Sequence, residues 1–295
     1  MQAHVAYGVR CRRCGLFVGL GALRYSWCME RGLLQLRYRL GAGASRLTHA
    51  ALSSPHFPLT RYLPRGIFWL YDLQRFLGTR NLGVLFDVGA NAGQTLNKLL
   101  QYAPGSEIHC FEPADVPFRT LAIRYGDRKN VHLHQQALGS RLEMRPLLTR
   151  EDFELNTFVG ATEGTGATTV SVATVDSVVA ERGISHLDLL KLDVQGWETE
   201  VLRGAESLIA SDNVVSIFVE VAFREDSEMQ QFSELHSVLT GKGFALSGLY
   251  DPLRYGPRKE FVLFANALYL HPQARLKWKP GLRAEWDAWM GQQRV

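Results

Sequence analysis

The sequence predicts a doubly wound α/β fold, a mostly parallel seven-stranded sheet with an antiparallel edge, and three observations carry that expectation. From Gly83 onward, short apolar runs closed by turn residues alternate with stretches of helical period. A glycine-bearing turn follows the first run directly, where an open parallel sheet places its ligand. The last two runs follow each other with no helix between them, which predicts an antiparallel pair closing one edge.

The runs cover residues 84–88, 108–112, 131–134, 187–194, 214–221, 244–250 and 261–270. Between them, apolar residues recur at three- and four-residue spacing: Leu96, Leu99 and Leu100; Val175, Val178 and Val179; Val201, Leu202, Ala205, Leu208 and Ile209; Phe232, Leu235, His236 and Leu239. Repetition of strand and helix predicts helices on both faces of the sheet. The Gly- and Thr-rich stretch from Gly160 to Thr169 is expected to be a mobile loop.

Composition sets the limits. With 46% hydrophobic and 21% charged residues, a chain of 295 can bury a full core. The net charge of +4 is unevenly placed: residues 1–50 carry eight Arg against Glu30 alone, so the remainder sums to −3. The apolar run from Cys14 to Leu23 has ten residues, short of the ~20 that span a bilayer. Arg12 and Arg13 precede it as in an export signal, but no small-residue cleavage site follows cleanly, and a cytoplasmic location is expected. Four cysteines make no disulfide framework, and the pair Cys11 and Cys14 lacks the second pair a zinc site needs, so no metal is expected, although Cys28 and His4 could complete a set.

Three segments follow from this pattern: a basic, mostly helical extension over residues 1–80, a ligand-binding domain over 81–272, and a helical tail over 273–295 with Trp286 and Trp289 at helical spacing. The extension reads as a solvated helical cap, or as a weak contact with an anionic membrane surface. Nothing points to nucleic-acid recognition.

The strongest local signal is Val84-Leu-Phe-Asp-Val-Gly-Ala-Asn-Ala-Gly-Gln-Thr95: a buried strand, an acid at its tip, two glycines four apart, then a helix. Gly89 and Gly93 allow close backbone approach, and the helix start presents unpaired amides to an anionic group. Ala90, Asn91 and Gln94 complete that cradle. Asp87 at the strand tip suits a ligand with cationic groups, such as a sulfonium nucleoside with a methionine carboxylate. A pyrophosphate would be repelled there, and the loop lacks the middle glycine of a dinucleotide fingerprint. Glu112, 25 residues after Asp87 and followed by Pro113, ends the next strand at a spacing suited to ribose hydroxyls. Gln136 and Ala137 follow the third strand, where the adenine edge would lie.

These residues resemble the FkbM family of methyltransferases. The match runs through Phe86-Asp-Val-Gly-Ala-Asn-Ala-Gly93, Phe111-Glu-Pro113, Ala137-Leu-Gly139, Val172-Ala-Thr-Val-Asp176, Asp188-Leu-Leu-Lys-Leu-Asp-Val-Gln-Gly-Trp-Glu198 and Val201-Leu-Arg-Gly-Ala205, within residues 81–270. The resemblance implies a class I methyltransferase fold that uses S-adenosyl-L-methionine, usually to methylate a hydroxyl, often on sugars or glycosylated metabolites. Gln195 stands where the family most often carries Glu, which removes a carboxylate from that position.

Lys191 and Asp193 lie two apart in an apolar strand and so share a face. Charges there are costly unless paired or used. Either they form an internal ion pair with Glu220 at the tip of the neighbouring strand, or Asp193 takes the acceptor's proton or orients the acceptor while Lys191 and Glu220 shape its charge. His134 and His236 are alternative bases. The acceptor pocket is expected under Gly160–Thr169, Phe223–Ser227, Asp251–Lys259 and part of the extension. Two other functions fit less well: a non-catalytic donor-binding scaffold and a nicotinamide-dependent oxidoreductase.

Overall fold

The computed structural model describes residues 8–10, 17–19, 64–148, 157–158, 167–224 and 229–292. The chain divides into two compact units, Met1–Leu63 and Pro64–Val295. In the first, strands β1 (Gly8–Arg10) and β2 (Phe17–Gly19) form an antiparallel pair. The helical and membrane-surface expectations for the rest of that unit fall outside the described residues. Among the described residues, no helix is long and apolar enough to cross a membrane.

The second unit begins with helix α1 (Trp69–Leu77), inside the span the sequence reading gave to the extension. Its residues Trp69, Leu70, Leu73 and Leu77 are core, and Trp69 stacks on Phe218 at 4.2 Å between ring centroids. An aromatic segment in a stretch broken by Pro gives little periodic signal, yet it buries enough apolar area to dock firmly.

Then come β3 (Val84–Val88), α2 (Gln94–Tyr102), β4 (Glu107–Phe111), α3 (Asp115–Tyr125), β5 (Val131–His134), β6 (Ala137–Leu138), β7 (Glu143–Leu147) and β8 (Thr168–Ala173). The chain continues with α4 (Val175–Arg182), β9 (Leu189–Leu192), α5 (Glu198–Arg203), α6 (Glu206–Ala210), β10 (Ser216–Ala222), α7 (Phe232–Gly241), β11 (Ala245–Tyr255), β12 (Phe261–Leu270), α8 (Pro272–Trp278) and α9 (Arg283–Gln292). The large sheet has the order β11-β12-β10-β9-β3-β4-β5. Pairings from β10 across to β5 are parallel, and β12 pairs antiparallel with both β10 and β11. This is the doubly wound sheet with an antiparallel edge that the sequence predicts.

Each predicted run lies in a strand of that sheet, with shifts at the ends. The run 187–194 narrows to Leu189–Leu192, because Leu187 makes only a bridge to Val214 and the chain turns after Leu192. One core cluster lies around Phe86, Leu190, Ile217 and Tyr269, a second around Leu85, Leu96, Ile108 and Leu268. The second cluster also takes in Ala274 of α8, with Trp278 packed against it, so α8 packs on the domain.

Two features depart from the sequence reading. A second sheet, β6-β8-β7, stands beside the first, and Thr168 and Thr169, expected in a loop, belong to its strand β8. Residues 160–166 of that expected loop lie outside the described residues. The single helix expected over Val201–Ile209 is two, α5 and α6, broken after Gly204. A Cβ at Gly204 would stand 1.9 Å from the Gly139 carbonyl oxygen, so the helix ends where the two chain segments touch.

Candidate active site

The chain runs outward through β3, β4 and β5, then returns to β9 and β10. The strand order therefore reverses between β3 and β9, and the carboxyl ends of those two strands frame a crevice. A cavity of about 310 Å³ opens there. That is the lower end of the ~300–1,000 Å³ typical of small-molecule sites. Its lining includes Gly89, Ala90, Asn91, Gln94, Thr95, Glu112, Pro113 and Ala137 on one side and Lys191, Asp193, Val194, Gln195 and Glu220 on the other.

The floor is built around one buried ammonium. Asp87 and Lys191 are register partners on β3 and β9. Lys191 Nζ lies 3.0 Å from Asp87 Oδ1 and 3.5 Å from Asp193 Oδ2, and donates to the Gly89 carbonyl at 3.0 Å. The ammonium thus donates to one carbonyl and is ion-paired with two carboxylates. Burial would strip the charge from Lys191, but the facing carboxylates of Asp87 and Asp193 outweigh burial and hold its pKa above the ordinary 10.5. Burial pushes Asp87 upward while Lys191 pulls it down.

The loop from Gly89 to Gly93 follows from this anchor. Gly89 has φ +75°, and a Cβ on it would reach 1.9 Å from the Asp193 carbonyl oxygen, so only glycine lets the two strand tips approach. Asn91 also holds a left-handed conformation, φ +47°, with its N–H donating to Glu112 Oε2 at 2.9 Å. The Ala114 N–H donates to Glu112 Oε1 at 2.9 Å. Both oxygens of Glu112 are fixed, yet each keeps a lone pair for a ligand hydroxyl. Burial raises the Glu112 pKa to about 7.

Across the cavity, Gln195 (φ +52°) and Gly196 (φ +93°) make the turn after β9. Glu198 accepts from the Val194 and Gly196 amides, both at 3.1 Å, and Thr157 donates to the Gln195 carbonyl at 2.7 Å. So held, the Gln195 amide Nε2 donates to Asp193 Oδ1 and to Glu220 Oε2, each at 3.1 Å. Burial and the facing Asp193 raise Glu220 to about 7. Of this set, Asp193 is the open one, with 39% of its side chain exposed.

Ten of the thirteen residues singled out from the sequence line the cavity; Asp87, Gly93 and Gln136 do not. Asp87 lies behind the cavity as the partner of Lys191, so its charge reaches the site through that ammonium. Gly93, with φ +92°, begins α2, and a Cβ there would strike Tyr125 at 2.5 Å. The pairing foreseen between Lys191 and Glu220 is replaced by Lys191 with Asp87 and Asp193, Glu220 being reached through Gln195. His134 and His236 lie outside the lining. Lining residues that sequence reasoning missed include Phe111, Leu147, Thr157, Phe158, Met229 and Phe264. Asp251–Tyr255, expected in a loop, extends strand β11.

Three carboxyl groups, Glu112, Asp193 and Glu220, share the lining with a single ammonium that is already paired. This donor set suits a cationic ligand bearing vicinal hydroxyls, and so fits S-adenosyl-L-methionine. Glu112→Gln is expected to weaken donor binding roughly ten- to a hundredfold, the loss of a charge-assisted hydrogen bond. In the wild type, affinity should rise as pH passes through about 7, where Glu112 loses its proton. Calorimetric titration from pH 6 to 8 checks both; an equally steep rise in the variant removes Glu112 as its cause.

A family model, the methyltransferase FkbM domain, matches residues 87–246. The chain is 30% identical over 206 residues to 31-O-demethyl-FK506 methyltransferase FkbM of Streptomyces tacrolimicus, across 59% of this chain and 76% of that protein. It is 22% identical over 148 residues to 2-O-methyltransferase NoeI of Sinorhizobium fredii (strain NBRC 101917 / NGR234), across 45% of this chain and 61% of that protein. Among solved structures, Aeropyrum pernix fibrillarin in complex with natively bound S-adenosyl-L-methionine aligns at 13% identity and TM-score 0.39, over 64% of this chain and 66% of that one. With more than half its length inside the family model, and the curated relatives bearing the same chemistry, the chain belongs to the FkbM methyltransferase family and is an S-adenosylmethionine-dependent methyltransferase.

Proposed function

We propose that this enzyme methylates a hydroxyl oxygen on a sugar, glycan or glycosylated metabolite, with Asp193 receiving the hydroxyl proton. The observation that carries this reading is the placement of Asp193. It is a partly exposed carboxylate on the cavity floor, with one oxygen held by Gln195 and the other facing Lys191. Both curated relatives are named for O-methylation. A sugar also suits the two kinds of lining: Asp193, Gln195 and Glu220 meet hydroxyls, while Phe158, Met229 and Phe264 meet an apolar ring face.

S-adenosyl-L-methionine, when bound, supplies an electrophilic methyl on a sulfonium. The residues that would hold it are Gly89, Ala90, Asn91, Gln94, Glu112, Pro113 and Ala137. Lys191 fixes the Gly89 carbonyl and orients Asp193. Asp193 accepts the proton from the acceptor hydroxyl. Gln195 ties Asp193 to Glu220, so that loss of the Glu220 proton raises the negative charge beside the base. The apolar side chains exclude water, which strengthens each of these interactions.

The test is transfer of labelled methyl to a panel of free sugars, glycosides and sugar-free hydroxylated metabolites, with products mapped by NMR. Methyl ethers formed on the sugar-bearing members support the proposal. Transfer to nitrogen or carbon, or to the sugar-free members alone, overturns it.

A further inference from the structure

A second group of ligating side chains lies at the other end of β4 from Glu112. Glu107 and His109 alternate along β4, and His132 stands on β5, the last strand of the sheet, as the register partner of His109. Glu107 Oε1 is 3.2 Å from His109 Nε2 and 3.3 Å from His132 Nε2, and all three ligand atoms lie within 4.8 Å of one another. A tetrahedral ion with bonds of about 2.0–2.1 Å has ligand-to-ligand edges of about 3.3–3.4 Å, so two edges are already near their bound length. His132 stacks on His109 at 4.5 Å between ring centroids, and the third edge, within 4.8 Å, would have to shorten by rotation of His132 as an ion binds.

The surroundings fit an ion better than a chance polar contact. His109 is buried, and its other ring nitrogen, Nδ1, faces His134 Nε2 at 3.1 Å. His134 in turn stacks on Phe111, at 4.5 Å between ring centroids. A partner on the rear nitrogen fixes the ring and its tautomer, as metal-ligating histidines require. Glu107 and His132 keep 49% and 37% of their side chains exposed, which leaves an entry path and room for water as a fourth ligand. Arg182 of α4, whose field reaches His109, opposes a cation, but it lies beside Glu181 and is half exposed.

We propose that Glu107, His109 and His132 form a site for a divalent first-row metal ion of the zinc type, with His134 holding His109 from behind. The ion would clamp the edge strand β5 to β4. Two neutral imidazoles and one carboxylate favour zinc or a neighbouring transition metal over calcium or magnesium, which prefer oxygen ligands.

The experiment uses the full chain stripped with a chelator, then titrated with zinc alone and, separately, with cobalt(II) as a spectroscopic probe. One equivalent of zinc is expected to bind and to raise the thermal midpoint. His132→Ala and Glu107→Gln, both at partly exposed positions, should each weaken it at least tenfold while circular dichroism is unchanged. The cobalt spectrum should show visible ligand-field bands without thiolate charge transfer, which separates this site from the cysteines of residues 1–63. Zinc uptake equal in wild type and both variants, a thiolate-dominated cobalt spectrum, or no stoichiometric uptake would each overturn the proposal.

Discussion

Replacing Lys191 with methionine is expected to cost about 3–5 kcal/mol of stability, and to lower Tm by on the order of 10 °C. Methionine nearly matches the volume, so the loss is electrostatic. Asp87, fully buried, would keep its carboxylate with no cation, and the Gly89 carbonyl would lose its donor. Removing one partner of a buried pair leaves an uncompensated charge, whereas removing both with apolar groups is often nearly neutral. The double variant Asp87→Leu/Lys191→Met should therefore recover most of the stability without recovering donor binding, since the loop anchor stays lost. Urea unfolding and donor titration on the three variants read the two effects separately. A single variant that loses less than about 1 kcal/mol would show that the pair is not an anchor.

The dependence on pH has a definite sign. Lys191 is held above its ordinary value of 10.5, so its contribution is complete throughout the neutral range and disappears only as the solution becomes strongly alkaline. Glu112, Glu198 and Glu220 behave oppositely. Burial raises each from 4.5 to about 7, so their contribution is full below 4.5 and lost as pH rises through about 7. The site therefore holds carboxyl groups that become charged at a cost in stability near neutral pH. A cationic ligand offsets that cost when it binds, and donor binding should stabilise the enzyme more at pH 8 than at pH 6.

Most of the sheet was legible because its strands are apolar, uninterrupted and punctuated by turns. The small sheet β6-β8-β7 was not: β6 has two residues, β7 carries Glu143, Arg145 and Pro146, and β8 opens on two exposed Thr and buries only Val170 and Val172. Such strands form because neighbours cover one face, which local sequence does not record. In the site, charges inside apolar strands were conspicuous, and so Lys191, Asp193, Glu112 and Glu220 could be found. What the pattern could not tell was which way Asp87 faced, because its partner comes from a strand about a hundred residues on, brought beside it by register. Thr157, Met229 and Phe264 reach the cavity from elements with no motif of their own, so only the folded chain brings them in. The Glu107, His109 and His132 group did have a signal, alternation of ligating residues along two strands, but its meaning depends on those strands being neighbours.

Asp193→Asn is expected to lower kcat by about 10²- to 10⁴-fold while donor affinity changes less than about tenfold. That factor corresponds to roughly 3–5 kcal/mol, less than the ~7–11 kcal/mol that alignment of reactants can supply, so residual turnover should remain measurable. Asparagine keeps the shape and can still accept from Gln195, and hence the change isolates the proton acceptor from the positioning of the loop. Glu220→Gln gives the complementary measurement. In the wild type, kcat/KM should climb through about pH 7 as Glu220 ionises next to Asp193. In the Glu220→Gln variant that limb should vanish, with the rate fixed near the low-pH level. A base elsewhere would leave Asp193→Asn with full kcat. A limb that persists in Glu220→Gln would assign it to Glu112, whose proton leaves in the same range but governs donor affinity, so measuring kcat at saturating donor separates the two.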